Sequence, residues 1–353
     1  MAERVLMKGN EAVSEAAIKA GCRHFFGYPI TPQNEVAAYM SKRMPKIGGT
    51  YLQAESEVAS INMVMGAAMA GVRTMTSSSS PGISLKCEGI SYIAACDLPC
   101  LILNVQRGGP GLGGIQPAQQ DYNQATKAPG HGGVQILVYA PSTVQEMVDV
   151  VYTAYDEAEK YKIPAMILAD GLLGQMMEPV VFKEVEPKPS EKPWAVGPNK
   201  GKPGRNIISS LLLQAPKLEA RNNERQERYA LIEKELPRAE EYLTDDADII
   251  IVAYGASARV ARSAVSAARA ANIKAGLVRP ITLWPFPNAI INAAAKGKKS
   301  ILVVEMNSGQ MVNDVRLAVN CAMKVDFYGR TGGVVPTPAE VLEAIKKSLG
   351  GDI

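Results

Sequence analysis

A carboxylate at the mouth of an oily segment is the first feature in this chain that could do chemistry. Glu55-Ser56-Glu57 leads into Val58-Ala59-Ser60-Ile61-Asn62-Met63-Val64-Met65-Gly66-Ala67-Ala68-Met69-Ala70-Gly71. Nothing polar interrupts this run beyond Asn62, so it reads as a helix with no face left for water, and a helix apolar all round is a buried one. Ser56 suits the N-cap, which puts Glu57 in the first turn, where the helix dipole favours negative charge. Glu57 is then either a dipole-complementing acid or a shielded carboxyl whose proton affinity is set for acid–base work. Because first-turn acids are common, the motif alone favours the former.

Other segments shift that balance. Tyr28-Pro29-Ile30-Thr31-Pro32 is an unusual turn after a short aromatic strand. Thr76-Ser77-Ser78-Ser79-Ser80-Pro81-Gly82 offers hydroxyls and backbone N–H groups before a helix, which suits an anion or a polar ring, or equally a plain capping turn. Arg107 stands at the end of an apolar strand, where a charge is costly unless it meets a carboxylate or phosphate; its donor fork suits a carboxylate, and a structural ion pair is the alternative. Gly109-x-Gly111-x-x-Gly114 spells a dinucleotide fingerprint, but Pro117 interrupts the helix it would open. The acid expected about twenty residues on is also missing, so NAD binding is rejected. These glycines are read instead as letting a loop approach a ligand or a partner chain closely.

The elements that must position these residues alternate. Helices are expected over 10–19, 33–43, 84–95 and 144–160, and strands over 23–28, 50–53, 72–77, 98–106, 135–139 and 165–169. Strands alternating with long helices argue a parallel sheet covered on both faces. Such sheets bind ligands at the carboxyl ends of their strands, and the loops at 28–32, 53–57, 76–82 and 106–114 all fall on that edge. Composition changes near residue 184, where Glu186-Pro187-Lys188-Pro189 and Gly201-Lys202-Pro203-Gly204 read as linker. A charged helix over 217–243 follows, with a thin stripe of Tyr229, Leu231, Ile232 and Leu236, and is read as a solvated connector. A second α/β unit begins at Asp248, with strands over 249–254, 275–278, 301–305 and 325–328 and a last helix over 338–348. The division expected is 1–184, 185–245 and 246–353.

Composition narrows the function classes. The chain has 353 residues, 47% hydrophobic and 21% charged, with a net charge of +3. No basic patch interleaves with aromatics, so nucleic acid is excluded as a partner. Apolar runs are short and Met1-Ala2-Glu3-Arg4 lacks a signal core, so no membrane association and a cytoplasmic location are expected. Cys22, Cys87, Cys96, Cys100 and Cys321 form no C-x-x-C pair and read as reduced thiols. With His24 and His131 alone, a histidine metal site is not expected in this chain.

Taken together the motifs resemble the α subunit of the 2-oxoacid:ferredoxin oxidoreductases. The residues that carry the likeness are Lys8-Gly9-Asn10-Glu11-Ala12, the turn 28–32, Ser56-Glu57 with its helix, the run 76–82, Gln106-Arg107-Gly108-Gly109-Pro110-Gly111 and Gln119-Gln120-Asp121. The second unit, through Val278-Arg279-Pro280-Ile281-Thr282-Leu283-Trp284-Pro285-Phe286, resembles the family's transketolase C-terminal-like domain. The fold implied is therefore an α/β pyrimidine-binding domain of thiamine enzymes followed by that domain. Asp170-Gly171 resembles a fragment of the Gly-Asp-Gly magnesium–diphosphate motif but lacks its first glycine and its downstream context, and is set aside.

The resemblance implies half of a thiamine diphosphate site shared with a partner subunit. Glu57 falls on the family's glutamate, which bonds the aminopyrimidine ring and drives its imino form. Thr31 and Arg107 fall on positions that orient the 2-oxoacid, and Pro29, Ile30, Thr76 and Ser77 on positions around the cofactor. Magnesium, the diphosphate motif and iron–sulfur clusters are implied on a β subunit and on γ and ferredoxin-like subunits, with coenzyme A as co-substrate and ferredoxin as acceptor. The glycine-rich run after Arg107, with no cation before Lys127, looks closest to the branched-chain 2-oxoisovalerate type. The 2-oxoglutarate type is the runner-up, and a catalytically silent scaffold subunit is the reading from another class. Ser80 departs from the family, many members of which have glycine before Pro-Gly, and leaves that loop's geometry open.

Overall fold

The computed structural model describes residues 4–184, 192–196 and 206–350. Most of the expected linker, at 185–191 and 197–205, lies outside the described residues. The chain opens with strand β1 (Val5–Lys8), which pairs antiparallel with β8 (Met177–Val180). Between them lie β2 (His24–Gly27), β3 (Thr50–Gln53), β4 (Thr74–Ser78), β5 (Leu101–Gln106), β6 (Leu137–Tyr139) and β7 (Ala165–Asp170). These six are mutually parallel and form one sheet in the order β6-β7-β5-β4-β2-β3. β5 and β7 are buried along their whole length, which is why Leu-Ile-Leu-Asn-Val-Gln reads as a run rather than an alternation.

Helices α1 (Gly9–Lys19), α2 (Asn34–Arg43), α3 (Glu57–Met69), α4 (Ser80–Ala95), α5 (Tyr122–Thr126), α6 (Val144–Tyr161) and α7 (Gly171–Gln175) link and cover these strands. α4 begins four residues before its expected start, because Pro81 is accommodated in the first turn, where no N–H is needed. The expectation for α3 needs correction. Glu57, Ser60, Ile61, Val64 and Ala68 form its buried stripe. Val58, Asn62, Gly66 and Ala70 face outward. Apolar composition thus overstates burial within this chain: α3 has one inner face and an oily outer one.

The 217–243 helix also needs correction. α8 (Ala215–Glu235) ends before Pro237, and the chain continues into β9 (Ala239–Tyr242). Nor is it a solvated connector. Tyr229, Ile232 and Leu236 are buried while Leu231 is exposed. Arg221, Arg225 and Arg228 gather around Asp97, just past the end of α4, and Arg225 Nη2 donates to the Ala95 carbonyl at 3.0 Å. The charges read as solvating the helix instead clamp it to the first sheet's cover.

β9 is the antiparallel edge of a second sheet with β10 (Ile249–Val252), β11 (Ala275–Pro280), β13 (Ser300–Glu305) and β14 (Val325–Gly329), in the order β14-β13-β10-β11-β9. Strand β12 (Thr282–Trp284) instead crosses back and pairs antiparallel with β6, adding a seventh strand to the first sheet. Helices α9 (Gly255–Ala270), α10 (Asn288–Ala295), α11 (Met311–Ala318) and α12 (Pro338–Ser348) complete the second unit.

The two units are joined by a buried polar hub at Gln119. Its Nε2 donates to the Tyr254 carbonyl (2.8 Å), and its Oε1 accepts from Ser257 Oγ (2.7 Å) and the Met306 N–H (3.0 Å). Its own carbonyl accepts from Asn307 Nδ2 at 2.8 Å. Removing the side chain strands the Ser257 hydroxyl and the Met306 N–H, each worth roughly 1–3 kcal/mol when left unmet, while the Tyr254 carbonyl keeps the Ala258 N–H. Gln119→Ala is therefore expected to lower stability by about 2–4 kcal/mol. Chemical denaturation followed by tryptophan fluorescence checks this, since Trp284 lies on the strand that crosses between the units.

Candidate active site

The parallel strands β2, β3, β4, β5 and β7 end on one edge, and each of the segments singled out as ligand-grade leaves from it. Ser56 Oγ accepts from the Ala59 N–H at 3.1 Å, the N-cap expected for α3. Glu57 follows it with only 6% of its surface exposed. Among the described residues no side chain hydrogen-bonds its carboxylate, which is instead hemmed in by α4. A methyl group at Gly82 would stand 2.7 Å from Glu57 Oε1 and 2.1 Å from Ser78 Oγ, so glycine is required for this approach.

The serine run divides into engaged and unengaged hydroxyls. Thr76 and Ser77 are fully buried; Thr76 Oγ1 accepts from Lys86 Nζ (2.9 Å) and Ser77 Oγ donates to Gln33 Oε1 (2.5 Å). Ser78 Oγ and Ser79 Oγ, one and two residues further on, are buried and have no partner among the described residues. Ser80 has a φ of 20°, and its hydroxyl donates to Asp121 Oδ2 (2.7 Å) while accepting from the Arg107 N–H (3.1 Å). Ser80 thereby ties the start of α4 to the Arg107 loop. Burial pushes the Asp121 carboxyl up, against hydrogen bonds from Ser80 and Asn104 and the charge of Arg107.

Arg107 meets neither of the partners expected for it from within the chain. Its Nη1 donates to the Thr31 carbonyl (2.9 Å) and its Nη2 to the Leu112 carbonyl (3.3 Å), drawing the 28–32 turn and the glycine-rich loop together. Its Nε is buried and has no partner among the described residues. Thr31 Oγ1 accepts from Asn34 Nδ2 at 3.1 Å, and Pro29 and Ile30 lie on the more open rim. The glycine-rich loop forms no helix, and Leu112 and Ile115 project from it into solvent. Asp170, set aside as a motif, is the N-cap of α7 and accepts from the Leu172 and Leu173 N–H groups.

Lys86 was not singled out from the sequence. It is fully buried on α4, below Glu57, and burial pushes its ammonium down to about 7 against the opposing charge of Glu57. The available signal was its place on the stripe Gly82, Ile83, Gly89, Ile90, Ile93, where every other member is apolar or glycine. Ser78 and Ser79 could not be told from their neighbours, since strand alternation gives direction but not partners.

A shielded carboxyl with no internal partner, two unmet hydroxyls and a guanidinium with a free buried N–H can grip a polar ring and a carboxylate. On a parallel α/β sheet, this is the edge of a thiamine-enzyme pyrimidine-binding module. Residues 15–241 match the family of pyruvate flavodoxin/ferredoxin oxidoreductase thiamine diphosphate-binding domains, and residues 247–341 match the pyruvate:ferredoxin oxidoreductase core domain II. The chain belongs to the 2-oxoacid:ferredoxin oxidoreductases, as one of their subunits.

Among its relatives is the ketoisovalerate oxidoreductase subunit VorB of Methanothermobacter thermautotrophicus, 50% identical over 98% of each chain. The 2-oxoglutarate synthase subunit KorA of the same organism is 35% identical, over 98% of this chain and 99% of that one. A solved 2-oxoglutarate:ferredoxin oxidoreductase from Magnetococcus marinus, with 2-oxoglutarate, coenzyme A and succinyl-CoA bound, superposes with a TM-score of 0.85 at 27% identity. That match covers 99% of this chain and 66% of the solved one. A split-gene transketolase shares the fold, with a TM-score of 0.61 at 14% identity over 98% of each chain.

Gly82→Ala tests whether the approach of α4 to Glu57 matters. The new methyl displaces the carboxylate, and a misplacement on the order of 1 Å is expected to lower turnover of the assembled enzyme by about 100-fold. Turnover alongside far-ultraviolet circular dichroism separates this from loss of fold.

Proposed function

We propose that this chain supplies the pyrimidine-binding half of a thiamine diphosphate site in a branched-chain 2-oxoacid:ferredoxin oxidoreductase, with 2-oxoisovalerate as the favoured substrate class. The observation that carries the reading is the shielded Glu57 carboxyl, unpartnered among the described residues, with the unmet hydroxyl of Ser78 close by and that of Ser79 next in the chain. These are the residues that would hold the aminopyrimidine ring, with Pro29, Ile30, Thr76 and Ser77 shaping its surroundings. When bound, the cofactor supplies a nucleophilic carbon and an electron sink for decarboxylation. Glu57 holds or releases a proton at the ring nitrogen, and its seclusion keeps that exchange from water. Arg107 offers its free Nε–H to the carboxylate of the oxoacid, and Thr31 orients the same group from the opposite loop.

The remaining machinery lies on partner chains in this reading: magnesium and the diphosphate motif on a β subunit, iron–sulfur clusters there and on ferredoxin-like and γ subunits. Coenzyme A accepts the acyl group and ferredoxin the electrons, in the cytoplasm. Five scattered cysteines without a C-x-x-C pair suit a subunit that holds no cluster itself. The outward Val58 of α3, Leu85 of α4 and Leu112 of the glycine-rich loop suit a β subunit that closes over this edge. Among the described residues no helix is long and apolar enough to cross a membrane. The division of labour follows the domain limits 1–184, 185–245 and 246–353.

The 50% identity to a ketoisovalerate oxidoreductase subunit, against 35% to a 2-oxoglutarate synthase subunit, supports the branched-chain reading. So does the loop after Arg107, which carries no second cation for a distal carboxylate before Lys127. In the assembled complex, with a viologen dye as acceptor, 2-oxoisovalerate should be turned over with a higher kcat/KM than 2-oxoglutarate; the reverse order would make this a 2-oxoglutarate enzyme. Glu57→Gln is expected to lower turnover by roughly 10²–10⁴-fold with assembly intact, whereas a silent scaffold would keep wild-type turnover. Arg107→Met removes a charge-assisted bond of about 1.5–3 kcal/mol, so kcat/KM should fall by roughly 10- to 150-fold.

A further inference from the structure

Lys86 is a buried cation that the mechanism above does not use. Its Nζ donates to Ser60 Oγ and to Thr76 Oγ1, and the Ser60 hydroxyl donates onward to the Glu57 carbonyl at 2.9 Å. Among the described residues no carboxylate makes a direct ion pair with it. An ammonium taken fully out of water onto two neutral hydroxyls is expensive to keep. The titratable groups that face it are few. α3 presents Glu57, the start of β5 presents Cys100, and β4 offers only the hydroxyl of Thr76. Burial pushes the Cys100 thiol up to about 12, and Tyr155 of α6 stands behind it, its phenol raised well above the ordinary value by burial. Among the described residues, Glu57 is the one carboxylate that faces Lys86.

We propose that Lys86 is a positioning residue of the active site, an internal counter-charge that stabilises the Glu57 carboxylate from below while Ser60 and Thr76 hold it in place. The inference rests on Glu57 being the acid–base group of the site. It follows from the arrangement of the two helices: Gly82 and Gly89 let α4 lie close against α3, and Lys86 projects into the gap between them. The ammonium and the carboxylate share the space between the two helices with no hydrogen bond between them, and opposite charges held there attract one another more strongly than in water. Contact with the hydroxyls fixes the ammonium, and the carboxylate keeps its oxygens free for the cofactor.

Lys86→Met keeps the volume and removes the charge. In the assembled complex its acid limb of kcat should move up by about one pH unit, lowering kcat near pH 6 by about tenfold and less at pH 8. An unmoved limb, or an equal loss at every pH, assigns Lys86 a packing role and overturns the proposal. Melting of the complex against pH gives a second measure that needs no Lys86 variant. With its folded-state value near 7 and its unfolded value at 10.5, Lys86 binds more protons in the unfolded chain, so stability rises with pH across that window. Glu57→Gln removes the charge that holds the lower edge up, so the rise should begin at lower pH; an unchanged onset overturns the coupling. If Glu57→Gln keeps wild-type turnover, the assignment of Glu57 itself falls. If it abolishes turnover and Lys86→Met retains the wild-type limb, only the counter-charge role falls.

Discussion

The close approach of α3 and α4 is the constraint on which the site depends. A Cβ at Gly82 would run into Glu57 and Ser78, and one at Gly89 would stand 2.4 Å from Ile61 Cγ2. Two glycines seven residues apart fall on the same face of α4, so the helix presents bare backbone to its neighbour at both ends of the contact. Their conformational cost, on the order of 1 kcal/mol each against alanine, is offset by what the approach makes possible. It seals the Glu57 carboxyl from water on one side and closes the pocket around Lys86. A wider spacing would admit water beside the carboxyl.

Much of this edge was legible in the sequence because it is written in backbone chemistry. Ser56 as N-cap, Glu57 in the first turn and the loops at the carboxyl ends of the strands follow from capping and from parallel-sheet geometry, and all are present. What could not be read were choices between equivalent partners. Four consecutive serines look alike, yet Ser77 is held by Gln33, Ser80 by Asp121 and Arg107, and Ser78 and Ser79 by nothing. Lys86 was hidden for the opposite reason: a lone lysine in a helix is nearly always solvated, and only the packing of α4 shows that it is not. The charged segment at 217–243 misled in the same way. Its arginines satisfy Asp97 and the Ala95 carbonyl at the end of α4 rather than water, and its length was cut by Pro237.

The second unit acts on this edge through the chain's crossings. Gln119 follows the glycine-rich loop closely, and its bonds to Tyr254, Ser257, Met306 and Asn307 anchor the loop's far end in the second sheet. Gly333 lies so near Gln116 that a side chain there would overlap it, so the second unit also presses on the loop from outside. Only the tip, with Leu112 and Ile115, is left free to meet another chain. A loop pinned at both ends and oily at its centre is suited to be ordered by a partner, with Arg107 at its base held in place beforehand.

Ser80 shows how a side chain can fix backbone geometry at the start of α4. Ser80 takes a positive φ of 20°, which an L residue adopts only at a cost of about 1–3 kcal/mol unless its surroundings impose it. The surroundings do: its hydroxyl bonds Asp121 and the Arg107 N–H, and its own N–H donates to Asn104 Oδ1 at 3.3 Å. Two such bonds, one to a carboxylate, are of the size needed to offset the strain. The serine is thus a fixed joint between α4 and the Arg107 loop. Glu57 and Arg107 sit on separate elements, and with the joint fixed, the distance between that carboxyl and that guanidinium is set by the chain itself.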